Sequence, residues 1–307
     1  VGASAARLEV AEVLDDQSLR VLETLQQPVG LGQEAFGGGK IGRGCINRLI
    51  KVLRDFRGVV DFYSPHTIRA VATSAVREAA NTDTLLDRVA MTTGFDLEVI
   101  DAAEESRLTV EAVRKDCRDI LAGDQPVLVS EVGAGSTLVI IVRGGEVYDS
   151  QSVDLGSVRL PQIMGTRSEP QRRAAMVLSQ QIRNVISSFK SQLPLEQCGG
   201  LVALGGEARL VAGLLGPKDS GRLPSVPLKR LQELVDRCAS SAPVRLAAQL
   251  GIPYTESEAL LPALLVYLEL LKASSADRIM ISRGNMRDGL LLDMAASAHG
   301  GENRWEE

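Results

Sequence analysis

Val127-Leu-Val-Ser-Glu-Val-Gly-Ala-Gly-Ser-Thr137 decides the fold of this chain. Val127 to Val132 reads as a strand, and it runs straight into the small-residue loop Gly133-Ala134-Gly135-Ser136-Thr137. Glycines after a strand let the backbone turn tightly and approach a ligand, and their N–H groups can wrap an anion. Ser136 and Thr137 add hydroxyl donors. Downstream, Leu138-Val-Ile-Ile-Val-Arg143, a Gly144-Gly145 turn and Glu146-Val-Tyr-Asp-Ser150 predict a hairpin. Two further small-residue loops stand beside apolar strands: Gly2-Ala-Ser4 at the opening, and Gly205-Gly206 after Leu201-Val-Ala-Leu204. No GxxxxGK[ST] or GxGxxG motif is present, so P-loop and Rossmann readings fail.

Working outward, the organisation repeats. Val1-Gly-Ala-Ser4 echoes Glu131-Val-Gly-Ala-Gly-Ser136, and each half offers a strand, a small-residue turn, a hairpin partner and later helices. Two similar α/β lobes facing a cleft is the architecture this predicts. In the first half, strands are expected at 6–13, 19–25, 67–73 and 97–100. Phe36 to Gly44 is expected to be a Gly-rich loop, and helices are expected at 45–56, 74–80, 82–92 (with Thr82 as N-cap) and from Ala102. Gly123-Asp-Gln-Pro126 marks a linker. In the second half a helix is expected at 171–192, a buried helix over Ala259 to Leu271 despite Pro262 and Glu269, and a last strand at Arg278 to Ser282. The domain reading is 1–124 and 125–307, with the last helix packing back on the first lobe.

Composition narrows the function. The 307 residues suffice for two domains with their own cores. A net charge of −5 argues against a dedicated nucleic-acid binder, and 3% aromatic residues make base stacking a poor reading. The cysteines Cys45, Cys117, Cys198 and Cys238 have no metal-type spacing and read as free, buried thiols of a reducing, cytoplasmic setting. His66 and His299 carry no motif, so neither a histidine metal site nor a Ser/His/Asp triad is expected. No apolar run reaches transmembrane length and no signal peptide opens the chain. The start at Val1 reads as lying inside a strand.

Two further groups carry chemistry. Glu104-Glu105-Ser-Arg107 lies at a helix start, where adjacent carboxylates complement the helix dipole. The functional alternative is a carboxylate that deprotonates an attacking water. From spacing alone the dipole reading is the stronger. In Ala72-Thr-Ser-Ala-Val-Arg-Glu-Ala79, Arg77 is either a surface cation or a phosphate contact.

At these residues the chain resembles the Ppx/GppA family, the exopolyphosphatases and guanosine pentaphosphate phosphohydrolases. The resemblance rests on Val71 to Asn81, Leu97 to Leu108, Val129 to Thr137, Ser152 to Leu160 and Ile281 to Leu290. It implies an α/β fold of two ribonuclease-H-like lobes of the actin-like/sugar-kinase/Hsp70 type with an interlobe cleft, in a short form without a C-terminal helical domain. It implies Mg²⁺-assisted removal of a terminal phosphate from polyphosphate or pppGpp. Glu105 takes the place of the general base. Gly2, Ser4, Arg77, Gly133, Ala134, Gly135, Ser136, Thr137, Gly205 and Gly206 take phosphate-binding places, and Glu131 and Glu207 metal-binding ones. Polyphosphate or guanosine penta/tetraphosphate is the implied partner, with no nucleic acid and no membrane, and family members are often dimers.

The chain departs from the family pattern in its polar positions. Asp-Ile-Gly-Gly-Gly-Ser-Thr becomes Glu131-Val-Gly-Ala134-Gly-Ser-Thr137, which lengthens a metal-binding acid and adds a methyl to the loop. The third loop reads Gly205-Gly206-Glu207, the closing one Ser282-Arg283-Gly284, and the opening one Gly2-Ala-Ser-Ala5. The leading reading is a phosphohydrolase with Glu105 as base. The alternative is a catalytically weakened relative that binds a phosphorylated ligand or nucleotide as sensor or scaffold. An actin-like ATPase or kinase is permitted by the fold but not favoured by the motifs.

Overall fold

A computed structural model describes residues 1–14, 18–166, 171–216 and 223–298. The chain forms two compact units: Val1–Ala112 with the chain from Met286 onward, and Val113–Asn285. The first holds β1 (Ala5–Val13), β2 (Leu19–Pro28), α1 (Leu31–Gly38), α2 (Arg43–Tyr63), β3 (Ala70–Ala72), α3 (Ser74–Arg77), α4 (Thr82–Thr93) and β4 (Leu97–Val99). Helix α5 (Ala102–Leu121) begins in the first unit and ends in the second. The second unit continues with β5 (Val127–Val132), β6 (Thr137–Arg143), β7 (Glu146–Val153), α6 (Arg159–Ile163), α7 (Gln171–Phe189), β8 (Gly200–Leu204) and α8 (Gly206–Leu215). It ends with β9 (Ser225–Pro227), α9 (Leu228–Ala239), α10 (Pro243–Leu250), α11 (Tyr254–Ala273) and β10 (Arg278–Ile281). Helix α12 (Met286–Ala298) then belongs to the first unit.

The sheet of the second unit has the order β7-β6-β5-β8-β10-β9. β5, β6 and β7 form an antiparallel meander, and β8 and β10 add in parallel to β5. A meander followed by parallel crossover strands is the ribonuclease-H-like order that the family resemblance implies. Both central strands are buried on both faces, which explains the unbroken apolar character of Val127-Leu-Val129 and Leu201 to Leu204. The hairpin turn has Gly144 at φ 59 and Gly145 at φ 83, the positive pair of a type I′ turn. β9, a short edge strand antiparallel to β10, was not legible in the sequence.

The first unit repeats this pattern in outline. β1 and β2 are antiparallel, and β3 and β4 are parallel. Gly2 donates its N–H to the Ala5 carbonyl at 3.0 Å, as Gly133 donates to the Ser136 carbonyl at 2.9 Å. Thr73 N–H donates to the Val1 carbonyl, joining β3 to the residue before that turn. The sequence echo between Val1-Gly-Ala and Val132-Gly-Ala is thus an echo of the same turn.

The core of the second unit centres on α11, whose residues from Ala259 to Leu271 are all buried. A helix apolar on every side must be enclosed, and α7, α9, α10 and the sheet enclose this one. Its Glu269 is only 6% exposed and is neutralised by Lys272 at 3.2 Å and Arg183 at 3.4 Å. In the first unit Leu290 of α12 packs with Val71, Ile100 and Leu108.

Some local expectations change. Phe36 to Gly38 end α1 rather than forming a loop, because Gly39 at φ 69 is the helix C-cap. Thr82 does not cap α4; its hydroxyl donates back to the Ala79 carbonyl at 2.6 Å. All four cysteines are free and buried, as expected. Burial pushes the Cys198 and Cys238 thiols up to about 11, so neither is a nucleophile near neutral pH. His299 lies outside the described residues.

Candidate functional site

The site residues of the second unit cluster at the ends of β5 and β8. β5 stops at Val132, and the loop Gly133–Ser136 is held from behind by the segment that follows β7. Ser157 N–H donates to the Gly133 carbonyl at 2.9 Å, and Val158 and Arg159 N–H both donate to the Ala134 carbonyl at 3.0 Å. The Gly133 and Ala134 carbonyls are therefore tied back. Ala134 and Gly135 donate their own N–H groups to no carbonyl among the described residues. A loop with tied carbonyls and open amides is an anion-holding arrangement. Gly156 permits this bracing, since a Cβ there would lie 2.2 Å from the Ala134 carbonyl oxygen.

Two expectations for this loop are refined. Thr137 is fully buried and its hydroxyl donates to the Leu155 carbonyl at 2.9 Å, so its side chain braces the loop instead of facing a ligand. Ala134 has no positive φ, so the methyl that replaces the family's glycine sits in an ordinary backbone conformation. Ser136 is nearly buried, at 9% exposure.

β8 ends at Leu204 and turns through Gly205 into α8. Gly205 has φ 105 and ψ 173, a conformation that is essentially glycine's alone. Gly206 and Glu207 form the first turn of α8, where N–H groups have no partner within the helix. Glu131 lies beside Gly205: a Cβ on Gly205 would be 3.7 Å from the Glu131 Cγ. Glu131 and Glu207 both act electrostatically on the buried Tyr267 phenol. Tyr267 accepts the Val132 N–H at 3.1 Å and donates to the Leu204 carbonyl. Burial pushes its pKa well above the ordinary value, so it stays a donor. Sequence reading missed Tyr267. Its signal was a tyrosine within an apolar helix, whose hydroxyl must find a partner when buried.

No group of three or more His, Cys, Asp or Glu side chains gathers as a metal cluster among the described residues. Mg²⁺, however, is commonly held by one or two carboxylates together with substrate phosphates and waters. Glu131 and Glu207 fit that donor set.

In the first unit the two adjacent glutamates separate cleanly. Asp101 caps α5 by accepting the Glu104 N–H at 2.8 Å. Glu104 is bound by Arg107 at 2.7 Å and Arg69 at 3.2 Å, and both arginines also reach Asp293 of α12 at 3.0 Å. The Arg107 guanidinium holds the Glu104 carboxyl below the usual carboxylate range. Glu105 turns elsewhere. Its side chain, 14% exposed, pairs with Arg77 Nη1 at 3.4 Å, and the same nitrogen donates to the Ile100 carbonyl at 2.7 Å. The structure thus brings Arg77 and Glu105 together. Ser4 is exposed, and its carbonyl accepts the N–H groups of Val29 and Gly30. Gly2 closes the turn described above.

The closing loop Ser282-Arg283-Gly284 is held by Asp116, which accepts the Arg283 N–H at 3.0 Å and the Ser282 hydroxyl at 3.3 Å. Asp116 therefore anchors a motif from which the family's acid is absent.

Comparison with known proteins gives these halves a common setting. The chain is 25% identical over 309 residues to exopolyphosphatase 2 of Mycobacterium tuberculosis, covering 96% of this chain and 93% of that protein. It is 25% identical over 300 residues to exopolyphosphatase 1 of Mycobacterium leprae, covering 95% and 87%. Among solved structures it matches an exopolyphosphatase from Cytophaga hutchinsonii at a TM-score of 0.85, with 22% identity and 96% of each chain covered. It matches a Ppx/GppA family member from Aquifex aeolicus at a TM-score of 0.79, with 21% identity and 97% and 96% covered. These structures share its fold. The model of the Ppx/GppA phosphatase family matches residues 10–298, and the chain belongs to that family.

Proposed function

We propose that this protein is an exopolyphosphatase-type phosphohydrolase, releasing the terminal phosphate of inorganic polyphosphate. The observation that carries the reading is the loop Gly133–Ser136, whose Gly133 and Ala134 carbonyls are tied to Ser157, Val158 and Arg159 while the Ala134 and Gly135 amides donate to no carbonyl among the described residues. The curated relatives named exopolyphosphatases favour polyphosphate over a guanosine pentaphosphate.

In this reading the loop amides and the Ser136 hydroxyl hold phosphate oxygens, and the first turn of α8 adds N–H donors. Glu105 accepts the proton of the attacking water as it bonds to phosphorus. Arg77, fixed by the Ile100 carbonyl, holds the Glu105 carboxylate in place and keeps its other nitrogens for phosphate. Glu131 and Glu207 are the residues that would hold Mg²⁺, which when bound neutralises charge on phosphate oxygens. No helix among the described residues is long and apolar enough to cross a membrane.

The test is phosphate release from polyphosphate and from pppGpp, with Mg²⁺, by wild type and by Glu105→Gln. Release from polyphosphate by wild type, reduced roughly 10²-fold or more in the variant, is the expected result. Equal release by both removes Glu105 as base. Ligand binding without release from either substrate removes hydrolysis itself.

A further inference from the structure

Tyr267 lies in the middle of α11 with none of its surface exposed. Its helix neighbours Ala263 to Val266, Leu268, Leu270 and Leu271 are leucine, valine and alanine, and Glu269 is paired with Lys272 and Arg183, so nothing in that packing calls for a hydroxyl. The hydroxyl instead reaches the point where two strands part. β5 and β8 run parallel with Glu131 opposite Leu204, and there the ladder ends. Gly205 turns away at φ 105, and Val132 leads into the loop at Gly133. The Tyr267 hydroxyl bridges the gap, accepting from Val132 and donating to Leu204. One of these residues follows Glu131 directly. The other stands three positions before Glu207.

We propose that Tyr267 is a positioning residue that fixes Glu131 and Glu207 relative to one another so that they can hold a divalent cation. This rests on the reading of those two carboxylates as cation ligands. A phenylalanine would fill the same volume but leave a buried N–H and a buried carbonyl without their shared partner. The two strand ends would then be free to drift, and the cation site would loosen while the core stayed packed. A residue behind the ligands that orients them is worth about 10- to 100-fold in metal affinity.

The experiment follows Mn²⁺ uptake by electron paramagnetic resonance, on the full chain, for wild type, Tyr267→Phe and Ser257→Ala. Ser257 is the control: it is buried in α11 and donates to the Pro243 and Tyr254 carbonyls at 2.9 and 2.7 Å, about 15 Å along the helix from Tyr267. Both variants are expected to melt below wild type, with only Tyr267→Phe weakening Mn²⁺ binding, by about tenfold or more. Its phosphate release is expected to recover at high Mg²⁺. Wild-type Mn²⁺ affinity in Tyr267→Phe, or equal weakening in Ser257→Ala, overturns the proposal. A wild type that takes up no Mn²⁺ overturns the cation reading beneath it, whatever the variants do. If Tyr267→Phe does not fold, 3-fluorotyrosine is placed at Tyr267 alone, with Tyr63, Tyr148 and Tyr254 replaced by Phe. A fluorine shift on adding Mg²⁺ is expected, and a resonance unmoved by Mg²⁺ overturns the role.

Discussion

Glu104 and Glu105 are adjacent, chemically identical and both in the first turn of α5, yet they do different things. No spacing rule separates them, because one residue of helix turns a side chain by about 100° and what each then meets is set by other parts of the chain. Arg69 and Arg107, both also paired with Asp293, claim Glu104; Arg77 claims Glu105. The family resemblance pointed to Glu105, and the structure supplies a physical difference that accompanies that choice. Gly205 shows the opposite case, where identity follows from conformation. At φ 105 and ψ 173 an L side chain is strained even though the space is open, the nearest neighbour of a Cβ being the Val132 carbonyl oxygen at 3.4 Å. Gly205→Ala is therefore expected to lose about 1–3 kcal/mol in urea unfolding. An unchanged midpoint would show that the turn relaxes without strain. Ala134 carries no such penalty, which is why this chain tolerates a methyl where the family has glycine.

At the scale of elements, the anion loop depends on a segment that makes no direct claim on the ligand. Leu155 to Arg159 supplies every brace of Gly133, Ala134 and Thr137 described above. The family stretch Ser152 to Leu160 was legible as a motif, but its role was not. Bracing is a matter of which carbonyl meets which amide, and sequence does not carry that pairing. Gly156→Ala would drive a methyl to 2.2 Å from the Ala134 carbonyl oxygen and 2.3 Å from the Gly135 carbonyl carbon. The loop must move, because both obstacles are backbone. The expected outcome is a fall in phosphate affinity by calorimetric titration, together with about 1–3 kcal/mol of lost stability from overpacking. Wild-type affinity for phosphate in this variant would separate the brace from the binding function.

For the whole molecule, the last helix completes the first unit. Leu290 of α12 joins the cluster of Val71, Ile100 and Leu108, with Met286 and Met294 packed beside it. Gly289 allows the approach, since a Cβ there would lie 1.9 Å from the Leu108 carbonyl oxygen. Ending the chain after Asn285 is expected to raise hydrogen exchange across β3, β4 and the start of α5 while leaving β5, β6 and β8 protected. Uniform loss across both units would instead mark a single cooperative fold, and no change at all would leave α12 without a structural role. By itself the sequence determined the strands other than β9, the three small-residue loops and the repeat. Those follow from local rules: side-chain periodicity, glycine's conformational range and the two-residue hairpin turn. Only the tertiary structure decided what stands around the loop that opened the sequence reading. Thr137 turned inward, Tyr267 reached the strand ends from 135 and 63 residues away, and Glu105 was matched with Arg77. Each of those depends on two distant segments meeting, and the free energy of such a meeting belongs to the pair and is written in neither segment alone.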